Sequence, residues 1–377
     1  MIQSSVAAEL GDALKGCGSL LYPLAATVAL MVCGVNSDLF GRRYFIAFGN
    51  VLVIIGGIVA RSTKSTSAVI VDMALTGFGG GNCQLAAFVL PELLPNKYRP
   101  AAIVLAETTN YINLIVGPAA SRYALEHGAW SWLFYSMSIV VGCAGVGTVL
   151  LYFPPKHSRG IPWRRAFREL DYIGAITFTA ATVLILGGIN YASYLPSSDP
   201  KVIAMLVVGF AVLVIFACWE KFMPLKQPLT LTRIFTRNYG RTFTAPFIAS
   251  LIVSMFYLGI LVVWNTMIAV LFTTSTSSTN KVIELSLAQG FGILIGAIFM
   301  ATLGQRVERW KWQMFGALTG ATLFGGLLAL GEPSRRGMSI VFIFLASIGY
   351  GWVQYLSIAY IQFGADQIEL RIAGGLA

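Results

Sequence analysis

The chain has 377 residues, of which 56% are hydrophobic and only 11% charged. An ordinary soluble domain carries charge on about a quarter of its residues, and so few charges cannot cover a water-facing surface of this size. A soluble enzyme of several compact domains is therefore excluded. The formal net charge of +10 would suggest nucleic acid if the cations formed one face, so their placement has to be read first. The five cysteines, Cys17, Cys33, Cys83, Cys143 and Cys218, stand singly inside apolar stretches, a pattern that fits neither a disulfide scaffold nor a metal knuckle.

A hydrocarbon core about 30 Å thick is crossed by about 20 apolar residues in helical form. Eleven runs meet or approach that length: 16–35, 44–60, 68–90, 101–121, 130–153, 173–194, 201–219, 243–271, 283–303, 312–331 and 338–362. Run 243–271 exceeds what one crossing needs and is expected to tilt or project. With the loop after the first run taken as cytoplasmic, 18 of the 26 Lys+Arg fall on that side and six on the other, alternating loop by loop. This is the positive-inside pattern, so the charge excess reports topology and no nucleic-acid partner is expected. The same topology puts Met1 on the outer face. The first ten residues have no charged n-region, and a further helix before residue 1 would resolve the awkward orientation. The expected class is an all-α polytopic membrane protein with about 11 transmembrane helices.

Between the first two runs stands Gly34-Val-Asn-Ser-Asp38-Leu-Phe-Gly41-Arg42-Arg43. The glycines permit a tight connection and close helix approach. Asp38 is suited to charge-assisted hydrogen bonds that could latch two bundles in one state and release them in another. This GxxxDxxGRR pattern resembles the signature loop of the major facilitator superfamily. Gly77-Phe-Gly79-Gly80-Gly81-Asn82 resembles the glycine-rich fourth helix of its drug exporters, with Met73 where an Arg is usual. Gly117-Pro118 resembles the GP of their fifth-helix motif, without the glycine pair that normally follows. Leu170-Asp171-Tyr172-Ile173-Gly174 is similar to the start of the extra helix pair in fourteen-helix exporters. The segments 91–99 and 243–272 resemble the fungal trichothecene efflux pump and siderophore transporter group. A weaker internal echo, Gly304-Gln-Arg306-Val-Glu308-Arg309-Trp-Lys311, follows the ninth run as the motif follows the first.

The resemblance implies an N-terminal bundle over 1–153, a basic cytoplasmic loop over 154–172, an extra helix pair over 173–219, a linker over 220–242 and a C-terminal bundle over 243–377. It also implies one helix missing before residue 1 and two after Ala377. Loop 154–172 is basic and amphipathic, suited to anionic lipid headgroups.

Ionisable residues inside spans are expensive and mark candidate sites. Glu107 shares a helical face with Asn110, Tyr111, Gly117, Pro118 and Ser121. It reads either as a proton-accepting carboxylate or cation contact, or as a structural carboxylate. Asp72 is placed to pair with Arg122. Gly77, Gly79, Gly80, Gly81, Gly117 and Pro118 are expected at helix contacts. Gln84, Tyr257, Trp264, Asn265, Gln354, Tyr355 and Gln362 are candidate walls of a cavity for a bulky apolar ligand. The chain lacks HExxH, GxSxG and GxxxxGK[ST], so no enzyme activity, cofactor or metal is expected. The leading expectation is proton-coupled efflux of a small amphipathic molecule, such as a mycotoxin or drug, by alternating access. The alternatives are siderophore-iron transport on the same fold or a non-transporting fragment. The expected location is the plasma membrane or the vacuolar membrane; the oligomeric state stays open.

Overall fold

The computed structural model describes residues 17–62, 66–86, 131–153, 168, 170–230 (apart from 193, 194, 197, 224, 226 and 227), 235, 243–272 and 279–364 (apart from 305 and 308). It also describes 112, 113, 115–117, 119, 120, 123, 124 and 127–129. Every long element among them is a helix. In chain order these are α1 (Cys17–Phe40), α2 (Arg42–Ser62), α3 (Thr66–Gln84), α4 (Ser131–Leu151), α5 (Tyr172–Tyr191), α6 (Pro200–Phe222), α7 (Thr244–Met267), α8 (Thr279–Leu303), α9 (Trp310–Leu327) and α10 (Arg336–Gly364). They coincide with ten of the eleven apolar runs. The other run, 101–121, falls mostly outside the described residues.

Among the described residues, eight helices are long and apolar enough to cross a membrane, namely α2 and α4 through α10. α1 contains a shorter apolar stretch, Leu21–Gly34. α3 dilutes its apolar residues with Asp72, Thr76, Asn82, Gln84 and four glycines and is not among these eight. Run 243–271 uses its extra length in a π-helical turn, Ile268–Phe272, that continues α7. α6 is started by Asp199, whose side chain accepts the Lys201 N–H, with Pro200 in the first turn where its missing N–H costs nothing.

The described residues form two compact units. The first holds α1–α6; the second holds the described parts of 112–129, residue 235 and α7–α10. In the first unit α3 lies between α1 and α2, α2 also carries α4, and the α5–α6 pair packs on itself and on α1. In the second, α10 is the hub against which α7, α8 and α9 all pack. Its core comprises Ile293, Ala297 and Met300 of α8 with Tyr355, Leu356 and Ala359 of α10. A second cluster joins Trp264, Ile268 and Phe272 to Val282, Leu285, Leu328 and Ile343.

Lipid supplies no hydrophobic force between helices, so small residues that allow backbones to approach set the crossings. A Cβ on Gly79 of α3 would stand 2.6 Å from the Gly49 carbonyl oxygen of α2, and one on Gly81 the same distance from the Ala26 carbonyl oxygen of α1. α3 is therefore glycine on both of its contact faces. By contrast, a Cβ on Gly316 of α9 would meet nothing within 4 Å. Gly79→Leu should lower the thermal stability of the detergent-solubilised protein by about 1–3 kcal/mol, the usual penalty of overpacking. Gly316→Leu should leave it unchanged; equal losses would remove the close-approach account.

Candidate functional site

The Gly34–Arg43 motif is more helical than its composition suggests. α1 continues through Asn36, Ser37 and Asp38 to Phe40, and the connection to α2 shrinks to Gly41 alone. Gly41 has φ +98°, a conformation that disfavours any residue with a Cβ. Polar residues extend the helix because their own groups are satisfied. The Ser37 hydroxyl donates to the Gly34 carbonyl at 2.7 Å, and the Gly41 N–H donates to the Ser37 carbonyl at 2.9 Å. Asp38 occupies the last turn of α1, and Arg42 opens α2.

Arg43 has a role that the sequence does not announce. Its guanidinium donates to the Val149 carbonyl near the end of α4 and lies 4.3 Å from the centre of the Phe153 ring. The last carbonyls of a helix are unpaired and carry the negative end of its dipole, so a cation there is doubly favoured. The aromatic face adds a cation–π contact. Arg43 thus ties the start of α2 to the end of α4 inside one unit.

Along the α2–α3 seam lies a row of buried polar groups. Asp72 is 2% exposed, and among the described residues its Oδ1 accepts no hydrogen bond. That oxygen faces Gly56 of α2, where a Cβ would come within 2.8 Å of it. Thr76, one turn on, donates its hydroxyl to the Asp72 carbonyl at 2.7 Å. Further along, the Asn82 amide donates to the Phe78 carbonyl at 3.0 Å, and the Cys83 thiol donates to Asn50 Oδ1 of α2 at 3.5 Å. Gly145 of α4 closes on the same Asn50 side chain. Asn50 and Thr76 were missing from the sequence-based set. Their signal was a polar residue one or two helical turns from an invasive glycine, visible only once the partner helix is known.

In the second unit, Tyr257 of α7 stacks on Tyr350 of α10 with ring centres 4.2 Å apart and planes 13° from parallel. About one turn on, Ser254 donates to Gln354 Oε1 at 3.4 Å. Gln313 braces the turn that echoes the first motif: it donates to the Gly304 carbonyl at 3.0 Å and accepts the Trp352 indole N–H at 3.2 Å.

The remaining expected residues divide clearly. Gly77 and Gly80 face Tyr22 of α1, Gln84 is exposed at the end of α3, and Asn265 donates to the Leu261 carbonyl of its own helix at 2.9 Å. Three more are placed as follows. Trp264 is fully buried, with its indole N–H donating to the Leu285 carbonyl at 3.1 Å. Tyr355 is 5% exposed in the α8–α10 core. Both serve helix packing, because the face they occupy is the one covered by a neighbouring helix. Gly117 is exposed, with nothing within 4 Å of a Cβ position among the described residues. Glu107, Asn110, Tyr111, Pro118, Arg122 and the side chains of Asp38 and Gln362 lie outside the described residues.

Arg43→Ala should weaken the α2–α4 tie by about 1–2 kcal/mol, the range for a cation at a helix C-terminus. Hydrogen exchange near the end of α4 should accelerate with it, and Arg43→Lys should restore only part, since lysine keeps the charge but loses the planar contact. Unchanged exchange in Arg43→Ala would count against the tie.

The family model described as the fungal trichothecene efflux pump (TRI12) matches residues 6–376. The MFS-type transporter prx5 of Penicillium rubens is 43% identical over 348 residues, covering 92% of this chain and 64% of that protein. The trichothecene efflux pumps TRI12 of Trichoderma arundinaceum and Fusarium sporotrichioides are 25% and 23% identical, each over 94% of this chain and 60% of their own length. The chain thus spans less than two thirds of the length of these relatives. With its apolar helices and its matched residues from near one end to the other, the chain belongs to the fungal trichothecene efflux pump family of multi-pass MFS-type membrane transporters, and not to an enzyme family.

Proposed function

We propose that the protein exports a small amphipathic molecule of trichothecene-like class across a fungal membrane, in exchange for protons, by alternating access of two helical bundles. Family membership supports the transport reading. The observation that carries the proton component is Asp72, a carboxyl group 2% exposed in the α2–α3 seam, with an oxygen that accepts no hydrogen bond among the described residues. An ionised carboxylate in that position has no compensating contact at that oxygen, and a proton is the smallest ligand that supplies one. Glycines on both sides of the seam let the two helix backbones meet closely beside this group. Glu107 remains a second proposed proton acceptor on its own polar helix face.

The substrate would meet the Tyr257–Tyr350 pair and the neighbouring Ser254–Gln354 hydrogen bond, an apolar surface beside a few polar groups. The Gly34–Arg43 motif would act as the switch, with Arg43 holding its own unit rigid while the connection at Gly41 bends. On the charge pattern of the loops, this motif faces the cytoplasm, and the plasma membrane is the proposed location.

The protein reconstituted in liposomes should accumulate a trichothecene probe against its gradient when a pH difference is imposed. Asp72→Asn should reduce gradient-driven accumulation by about fivefold or more, the lower end of a coupling between two sites. Exchange of probe between equal compartments should persist in the variant. Undiminished gradient-driven accumulation would remove Asp72 from coupling, and absence of probe movement in the unmutated protein would remove the export reading.

A further inference from the structure

α5 and α6 form an antiparallel pair whose ends bring two buried carboxyl groups together. Asp171 caps α5: its Oδ1 accepts the Gly174 N–H at 2.9 Å and the Trp219 indole N–H at 3.1 Å. Glu220, beside Trp219 in the last turn of α6, is 5% exposed. Its Oε1 accepts the Leu229 N–H at 3.0 Å and its Oε2 the Thr230 N–H at 3.2 Å. The chain therefore leaves α6, turns, and is pinned back on the helix it has just left. Leu229, 1% exposed, completes the attachment by packing among Met31 of α1 and Phe216 of α6, with Ala175, Phe178 and Leu213 alongside. The segment still belongs to the first unit, which along the chain ends a few residues later, at Arg233.

The Glu220 and Asp171 carboxyl groups are neighbours around Gly174, and among the described residues Asp171 is the charge that acts on Glu220. Four N–H groups serve three of the four oxygens. The remaining one, Asp171 Oδ2, is buried and accepts nothing. Gly174 makes this proximity possible: a Cβ there would overlap Asp171 Oδ2 and stand 3.2 Å from Glu220 Oε1. Among the described residues, no cation reaches the pair. Lys221 of α6 lies over the Phe222 ring, Arg168 and Tyr172 near the start of α5 are exposed, and α1 contributes apolar Met31. In the returning segment, Leu229 and Thr230 offer only backbone N–H groups to Glu220.

Two anionic carboxylates in contact at a buried site repel, and a shared proton removes one charge while giving the empty oxygen a partner. We propose that Asp171 and Glu220 together bind one proton, and that this proton clasps the Leu229–Thr230 segment onto the α5–α6 pair. The bound proton turns one carboxyl into a hydroxyl donor to the other. Its departure leaves two like charges against Gly174, and the segment, held by two backbone N–H bonds and one leucine, is the part free to yield. The clasp therefore holds when the proton is bound and loosens as pH rises. The site is separate from Asp72 and stands whether or not the protein exports anything.

Hydrogen–deuterium exchange of the full chain in lipid nanodiscs, corrected for intrinsic pH dependence, reads the clasp directly at Leu229 and Thr230. Protection should fall about tenfold or more from mildly acidic to alkaline pH, equivalent to losing one hydrogen bond to a charged group. Asp171→Asn keeps the cap oxygen and puts an amide N–H where the empty oxygen stands, so its protection should be retained across the same range. Protection independent of pH in the unmutated protein, or falling in parallel in Asp171→Asn, would overturn the proposal. Should Asp171→Asn fail to fold, infrared difference spectra between the unmutated protein and Glu220→Gln at neutral pH decide the matter. A protonated-carboxyl stretch must be present in the former and missing from the latter; a difference confined to ionised carboxylate bands would overturn the shared proton.

Discussion

Inside hydrocarbon no water is available to a backbone N–H or C=O, so every residue that crosses must satisfy its own polar groups. Helices do this without outside help, which is why every long element among the described residues is one. The constraint then passes to the side chains. Thr177, Thr179 and Thr182 on α5 donate their hydroxyls back to carbonyls of their own helix, as do Thr319 and Thr322 on α9. Groups with nothing local to bond must find a neighbouring helix or remain unsatisfied.

Those cross-helix solutions organise both units. Trp264 reaches Leu285, Trp352 reaches Gln313, and Arg43 reaches the end of α4. Each closes an otherwise open donor or acceptor and fixes the relative position of two helices. Close backbone approach at Gly49, Gly79 and Gly81 supplies the dispersion contacts that replace a hydrophobic drive in lipid. Among the described residues a few buried polar atoms, Asn82 Oδ1 and Ser339 Oγ included, have no hydrogen-bond partner, and two of the others are Asp72 Oδ1 and Asp171 Oδ2. Both are carboxyl oxygens, the chemistry best suited to take up a proton reversibly. One lies in a glycine seam between α2 and α3 and the other at the end of the α5–α6 pair.

Hydropathy exposed the helices directly, because crossing length and apolar content are properties of sequence alone. Helix ends were less legible: Asn36, Ser37 and Asp38 read as a loop, yet the helix continues since its backbone bonds need no lipid. The glycines of α3 were visible as a pattern, while the helices they touch were not. Trp264 and Tyr355 carry the composition of a ligand wall, and only their covered faces reveal a packing role. The Asp171 motif stood out by its resemblance, but Glu220 looked like an ordinary linker residue. The two meet only when α5 and α6 fold back on each other, information that no local spacing contains. Expectations at Glu107, Asn110 and Tyr111 rest on one helical face read from sequence, and that at Arg122 on its expected pairing with Asp72.

The account depends on α6 and its companions traversing a bilayer, with cationic ends sorted by side. Lys201 and Lys221 flank α6 and are both exposed, with a separation that matches a hydrocarbon core of about 30 Å. Single cysteines placed at these two positions in a cysteine-free background can be labelled with a membrane-impermeant reagent in sealed cells. The account requires position 201 to react from outside and position 221 only after the membrane is opened. Reaction of both from the same side would contradict the crossing, and with it the reading of the protein as a transporter.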